Sequence, residues 1–146
     1  MGERAGAMGW GYQGHTPDQL REVLSAWRAT ALVDVRLNPV SRKPGFSRKA
    51  LGALCQQAGV QYMHLPDLGN PRDNREGFAA TGDDRRAAHE RYTDEVLGSD
   101  DARAALKRLA ELTGDGLVVV LCFEAVESCC HRSLVLDALR HELVSA

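Results

Sequence analysis

The chain has 146 residues, 44% of them hydrophobic and 26% charged, with a net charge of −2. That size and balance fit one globular domain and leave little room for a second. They count against tight nonspecific binding to DNA or an anionic membrane; no apolar run is long enough to cross a bilayer, and four cysteines are too few for a disulfide framework.

Met1–Ala7 is expected to fray, and it lacks the apolar core of a signal peptide, so a cytoplasmic location is expected. A short strand around Ala7–Tyr12 leads into Gly11-Tyr12-Gln13-Gly14. Thr16 then reads as a helix N-cap, with Pro17 at the first helical position and Gln19 closing a capping box. Leu20, Val23, Leu24 and Trp27 follow at one-face helical spacing. Ala31–Val35 is a short buried strand, and Arg36–Gly45 is a loop broken by two prolines and a glycine. The next helix carries Leu51, Leu54, Cys55 and Ala58 on one face and stops at Gly59. Val60–Leu65 is the third strand. Residues 66–86 mix prolines, glycines and charges, so they read as an irregular loop or lid, or as a plain surface excursion. Helices over Arg85–Leu97 and Asp101–Thr113 follow. Leu117–Leu121 is apolar without alternation, as in a strand covered on both faces. Ser133–Val144 closes the chain as a helix with Leu136, Leu139 and Leu143 inward.

Strands alternating with helices imply right-handed crossovers and a parallel sheet. The expected architecture is a single α/β domain over residues 1–146, a three-layer sandwich whose central, mostly parallel sheet of about four strands is flanked by helices.

Ligands of such sheets bind beyond the carboxyl ends of the strands. Polar side chains gather there: Tyr12 and His15 after the first strand, Asp34, Arg36, Asn38, Ser41, Arg42 and Lys43 around the second, His64 at the third, and Cys122, Glu124, Cys129, Cys130, His131 and Arg132 after the fourth. Cys122 and Glu124 are two apart and point to one side of an extended chain. The chain enters a helix near His131, where backbone N–H groups favour an anion and Arg132 adds a cationic fork. A thiol there is biased toward thiolate. Cys130 is thus a candidate nucleophile or anion-site ligand, with His131 or Glu124 as proton carrier. The plainer reading makes Cys122 a buried strand cysteine and Cys130 a helix cap.

No cofactor is expected. Zinc held by Cys122, Cys129 or Cys130, and His131 is an alternative, although no Cys-x-x-Cys pair exists and neighbouring residues seldom chelate one metal well. A Cys122–Cys130 redox pair is another. Arg36, Arg42 and Lys43 suit either phosphate or a solvated basic loop. His64 suits catalysis or a hydrogen-bonded core position. Asp34 sits inside a buried strand and needs a partner, for which Arg36 is the candidate.

These blocks together resemble the prokaryotic family known as domain of unknown function 488. The likeness runs from about Trp10 to Leu143, on Gly11-Tyr12-Gln13-Gly14, on Val33-Asp34-Val35-Arg36-Leu37-Asn38-Pro39 with Ser41 and Pro44-Gly45-Phe46-Ser47, on Tyr62-Met63-His64-Leu65 with Leu68-Gly69, on Leu121-Cys122-Phe123-Glu124, and on Cys130-His131-Arg132-Ser133. The resemblance implies an α/β fold and a shared polar site without an established reaction. It carries over Tyr12, Asp34, Arg36, Ser41, Cys122, Glu124, Cys130, His131 and Arg132 as site positions. Gln13 stands where an acidic residue is expected and Gly9 where threonine is expected.

From these readings Glu124, Cys130, His131 and Cys122 are the expected catalytic residues. Tyr12, Asp34, Arg36, Ser41, His64, Arg132 and Ser133 are expected to bind substrate. The first functional expectation is an enzyme on a phosphate-bearing substrate, a nucleotide or nucleic acid, with an anion site at the start of the last helix and Tyr12 or Phe123 as stacking surfaces. The second is a rhodanese-like or phosphatase-like cysteine enzyme, although position 128 is serine and the first arginine after Cys122 is Arg132. The third is a noncatalytic nucleotide or nucleic-acid binding module. No membrane partner is expected.

Overall fold

The computed structural model describes residues 6–145. Four strands, β1 (Ala7–Gly11), β2 (Ala29–Asp34), β3 (Gln61–His64) and β4 (Leu117–Cys122), form one sheet in the order β1-β4-β2-β3, with every pairing parallel. The expected fraying of residues 1–7 falls largely outside the described residues, but Ala7 is already paired with Val118 in β1.

The helices divide between the two faces. α1 (Pro17–Ala26) and α2 (Arg48–Ala58) cover one, burying Leu20, Leu24, Leu51, Leu54 and Cys55 against Leu32, Val119 and Leu121. The other face carries α3 (Arg75–Ala79), α4 (Gly82–Tyr92), α5 (Asp100–Leu112) and α6 (Arg132–Ser145), which pack Phe78, Tyr92, Leu109, Val135 and Leu136 on Val33, Val118 and Val120. This is the three-layer α/β sandwich that the sequence implies. Val118–Leu121 are each fully buried, because alternate side chains serve two separate cores.

Local signals explain the element ends. Thr16 Oγ1 accepts from Gln19 N while the Gln19 side chain accepts from Thr16 N, closing the capping box. Gly59 ends α2 in the left-handed region at φ 72°.

Residues 66–86 are not an irregular loop. They hold two single 3₁₀ turns, all of α3 and the first turn of α4. Buried polar groups tie this segment down: Asn74 Nδ2 donates to Asn70 Oδ1 and to the Ala88 carbonyl, and Tyr92 OH donates to the Leu68 carbonyl. α4 begins at Gly82, three residues earlier than expected, and ends in a wider π-helical turn over Thr93–Leu97.

The strand order positions the site. β1→α1→β2→α2→β3 advances across the sheet over one face, and the chain then returns over the other face to insert β4 between β1 and β2. The chain therefore leaves β4 toward α6, on the opposite face from the helices that follow β1 and β2. Such a divergence opens a crevice at the carboxyl ends of neighbouring strands.

Candidate functional site

A cavity of about 350 Å³ lies in that crevice, lined by Tyr12 from the end of β1, Arg36, Asn38 and Val40 after β2, Arg75 of α3, and Cys122, Phe123, Glu124 and His131 around the end of β4. Its volume is at the small end of ligand pockets.

One wall rests on a buried ion pair. Asp34 and Arg36 lie two apart where β2 ends, so their side chains share a face. Arg36 Nε and Nη2 donate to the two carboxylate oxygens of Asp34 at 2.8 and 2.6 Å. Arg36 Nη1 donates to the Phe46 carbonyl at 2.7 Å and to Tyr12 OH at 3.3 Å. Tyr62 OH donates to the second Asp34 oxygen at 2.7 Å. Burial alone lowers the Arg36 pKa, but the hydrogen bonds and charge of Asp34 outweigh it and hold the guanidinium above its ordinary value. Burial, reinforced by the Asp34 charge, pushes the Tyr62 phenol well up. Arg36 thus serves to fix Asp34, Tyr12 and Phe46. Tyr12 stacks on Phe46 with ring centroids 4.6 Å apart and meets Phe123 edge-on at 5.3 Å. Phe123 remains 43% exposed at the mouth.

The opposite wall is organised by Arg132, which is 1% exposed. Its guanidinium crosses β1 where the strand carries Gly9 and Gly11. A β-carbon at Gly11 would overlap the Glu124 carbonyl and stand 2.9 Å from Arg132 Nη1; one at Gly9 would overlap Glu127 Oε1 and stand 3.0 Å from Arg132 Nε. Arg132 Nη1 donates to the Glu124 carbonyl and to Cys122 Sγ, Nη2 donates to the Ala125 carbonyl, and Nε faces Glu127 Oε1 at 3.5 Å. Gln13 Oε1 accepts from Ala125 N on the same loop. Arginine and glutamine together set the path of residues 123–127, and hence the place of Glu124.

The first-turn amides of α6 already have partners. Arg132 N lies 3.5 Å from Cys130 Sγ, while Ser133 N and Leu134 N donate to the carbonyls of Cys130 and His131. The anion seat expected at this helix start is therefore filled by the chain itself. Two cations line the cavity: Arg36, which is paired with Asp34, and Arg75, which is exposed and forms no ion pair among the described residues.

A family model for the domain of unknown function DUF488 matches residues 16–139. The chain belongs to the DUF488 family. Neither the curated proteins nor the solved structures contain a match.

In this DUF488 chain the sulfur-bearing residues converge beneath the cavity. The sulfurs of Cys122 and Cys130 are at disulfide-bonding distance, the pairing expected of a redox couple, while their Cα atoms stand 7.5 Å apart. Cys130 Sγ is 3.6 Å from His131 Nδ1, and Cys122 Sγ is 3.7 Å from Glu124 Oε2. His131 Nε2 donates to the Val35 carbonyl at 2.8 Å, which leaves Nδ1 with the lone pair in the neutral ring. Burial pushes His131 down to about 4, against the opposing effect of its Val35 hydrogen bond. Cys129 lies apart from this group, 3.8 Å from Arg85 Nη2.

Of the residues singled out from sequence, Tyr12, Arg36, Asn38, Cys122, Phe123, Glu124 and His131 line the cavity. Cys130 and Arg132 lie behind it, and Asp34 supports it through Arg36. His64, Ser41 and Ser133 are outside its lining: His64 Nε2 donates to the Arg36 carbonyl, Ser41 Oγ accepts from Lys43 N, and Ser133 Oγ donates to the Cys130 carbonyl. Sequence reasoning missed Arg75, Tyr62 and the role of Gln13. α3 has only five residues, too few for periodicity to reveal. Gly9 and Gly11, at alternate positions of β1, are the signal that could have revealed the close approach of Arg132.

Proposed function

We propose that this chain is an enzyme acting on a phosphate-bearing substrate, a nucleotide or a nucleotide unit of nucleic acid. The observation that carries the reading is the composition of one small cavity: an arginine without a counter-ion among the described residues, Arg75, a half-buried carboxylate, Glu124, and aromatic surface from Tyr12 and Phe123. Arg75 would accept the phosphate and Phe123 would stack on a base. Glu124, held by the Arg132–Gln13 frame, would carry the proton. Leu37, Val40, Phe123 and Val126 are exposed around the same strand ends, which adds an apolar rim for a base or sugar. Among the described residues no helix is long and apolar enough to cross a membrane. We place the protein in the cytoplasm, where its thiols stay reduced.

The test is turnover of a panel of nucleotides and short single-stranded oligonucleotides by wild type and Glu124→Gln. Wild type should form product, and Glu124→Gln should bind but not turn over. Full activity in Glu124→Gln would sink the role given to that carboxylate, and binding without product in wild type would leave a binding module. A second reading, cysteine catalysis, is favoured by Arg132 Nη1 lying 2.9 Å from Cys122 Sγ. It requires Cys122 to react with iodoacetamide at pH 7 faster than a free thiol does.

A further inference from the structure

We propose that Cys122 Sγ, Cys130 Sγ and His131 Nδ1 form a three-ligand site for a tetrahedral divalent metal, zinc by the chemistry of its donors, with the fourth position turned toward Glu124 and the cavity. The three donor atoms lie within 4.8 Å of one another, and all three residues are buried. Two thiolates and an imidazole are a zinc donor set, and three protein ligands with one open position mark sites that bind substrate or water.

Three further observations support it. The first is spacing. Zinc bonds of about 2.3 Å to sulfur and 2.0–2.1 Å to nitrogen place sulfur and nitrogen about 3.6 Å apart in a tetrahedron. Cys130 Sγ and His131 Nδ1 are 3.6 Å apart, so sequence adjacency is no obstacle here. The second is the backbone. The Cα atoms of Cys122 and Cys130 are 7.5 Å apart, wider than the roughly 4.4–6.8 Å that disulfides span. In the reduced protein a metal would part the sulfurs from their present contact to about 3.8 Å, and the wider frame accommodates that separation. The third is the histidine. Its Nε2–H is fixed on the Val35 carbonyl, the outer-shell contact that orients a ligating imidazole and directs the Nδ1 lone pair at the metal.

Charge agrees with an anionic fourth ligand. Two thiolates cancel the metal's charge, their protons leaving to solvent on binding. Arg132, beside Cys122 Sγ, then leaves one positive charge, which Glu124 or an anionic substrate would meet. The site requires nothing of the substrate reading above, and its test uses the metal alone.

The reduced protein is titrated anaerobically with Co²⁺. One equivalent should develop sulfur-to-cobalt charge-transfer absorption with the intense visible bands of a tetrahedral site, and Zn²⁺ should bleach both. Cys122→Ser and Cys130→Ser should lose the charge-transfer band or weaken it, while Cys129→Ser should retain it. Wild type gives a measurement that needs no variant to fold: Zn²⁺ should slow alkylation of Cys122 and Cys130, mapped by mass spectrometry, by about tenfold or more, and leave Cys129 unchanged. Cobalt spectra without a thiolate band overturn the proposal. So does an unchanged alkylation rate at Cys122 and Cys130 with zinc present.

Discussion

Replacing Arg36 by leucine leaves the Asp34 carboxylate fully buried with only Tyr62 OH and the backbone N–H of residue 36 as partners. The two charge-assisted bonds at 2.8 and 2.6 Å are lost at once. Breaking one side of a buried pair costs about 3–5 kcal/mol, because the stranded charge keeps its desolvation penalty. In a chain of this length that corresponds to a fall in Tm of roughly 10 °C. Urea denaturation of wild type, Arg36→Leu and the double variant Asp34→Asn/Arg36→Leu measures it. The double variant should recover at least half of the loss, since it removes the stranded charge. If Arg36 instead held a substrate phosphate, Arg36→Leu would cost stability little and affinity much. A loss below about 1 kcal/mol, or no recovery on adding Asp34→Asn, refutes the assignment of Arg36 to Asp34.

Gly11→Ala forces the Glu124 carbonyl and Arg132 apart and should destabilise the protein by about 1–3 kcal/mol, read by denaturation, and impair the cavity at the same time. His131 has an unfolded pKa near 6.5 and a folded value of about 4, so the unfolded state takes up the proton first as pH falls. In chelator-treated protein this contribution is intact above pH 6.5 and is lost as pH falls toward 4, by about 3 kcal/mol; urea midpoints from pH 7.5 to 4.5 should show a steeper fall in wild type than in His131→Gln. Burial raises the Cys55 thiol to about 11, so iodoacetamide at pH 8 should leave Cys55 unmodified in the folded chain while the half-buried Cys129 reacts.

Much of the fold was legible because its signals are local. Thr16 with Gln19, Gly59 after α2 and the apolar Leu117–Leu121 each carry their own physics in a few residues. Asp34 with Arg36 was legible as a pair because a carboxylate inside a buried strand demands a cation and a spacing of two supplies one on the same face. The insertion of β4 between β1 and β2 was not, since a strand apolar on both faces carries no mark of its neighbours. Arg132 was misjudged for a related reason. An arginine beside a helix start reads as a ligand for anions, and only Gly9 and Gly11 on a distant strand reveal that it has a channel to run through. Arg75 was hidden because α3 is pinned by Asn74 and Phe78 rather than by any periodic face.

The affinity for a phosphate-bearing ligand as a function of salt, compared between wild type and Arg75→Ala, tests the functional account most directly. With a short single-stranded oligonucleotide as the probe, wild type should bind at low salt, and Arg75→Ala should bind more weakly with a log–log salt slope reduced by about one. Equal affinity and equal slope in the two proteins would contradict the placement of phosphate at this cavity.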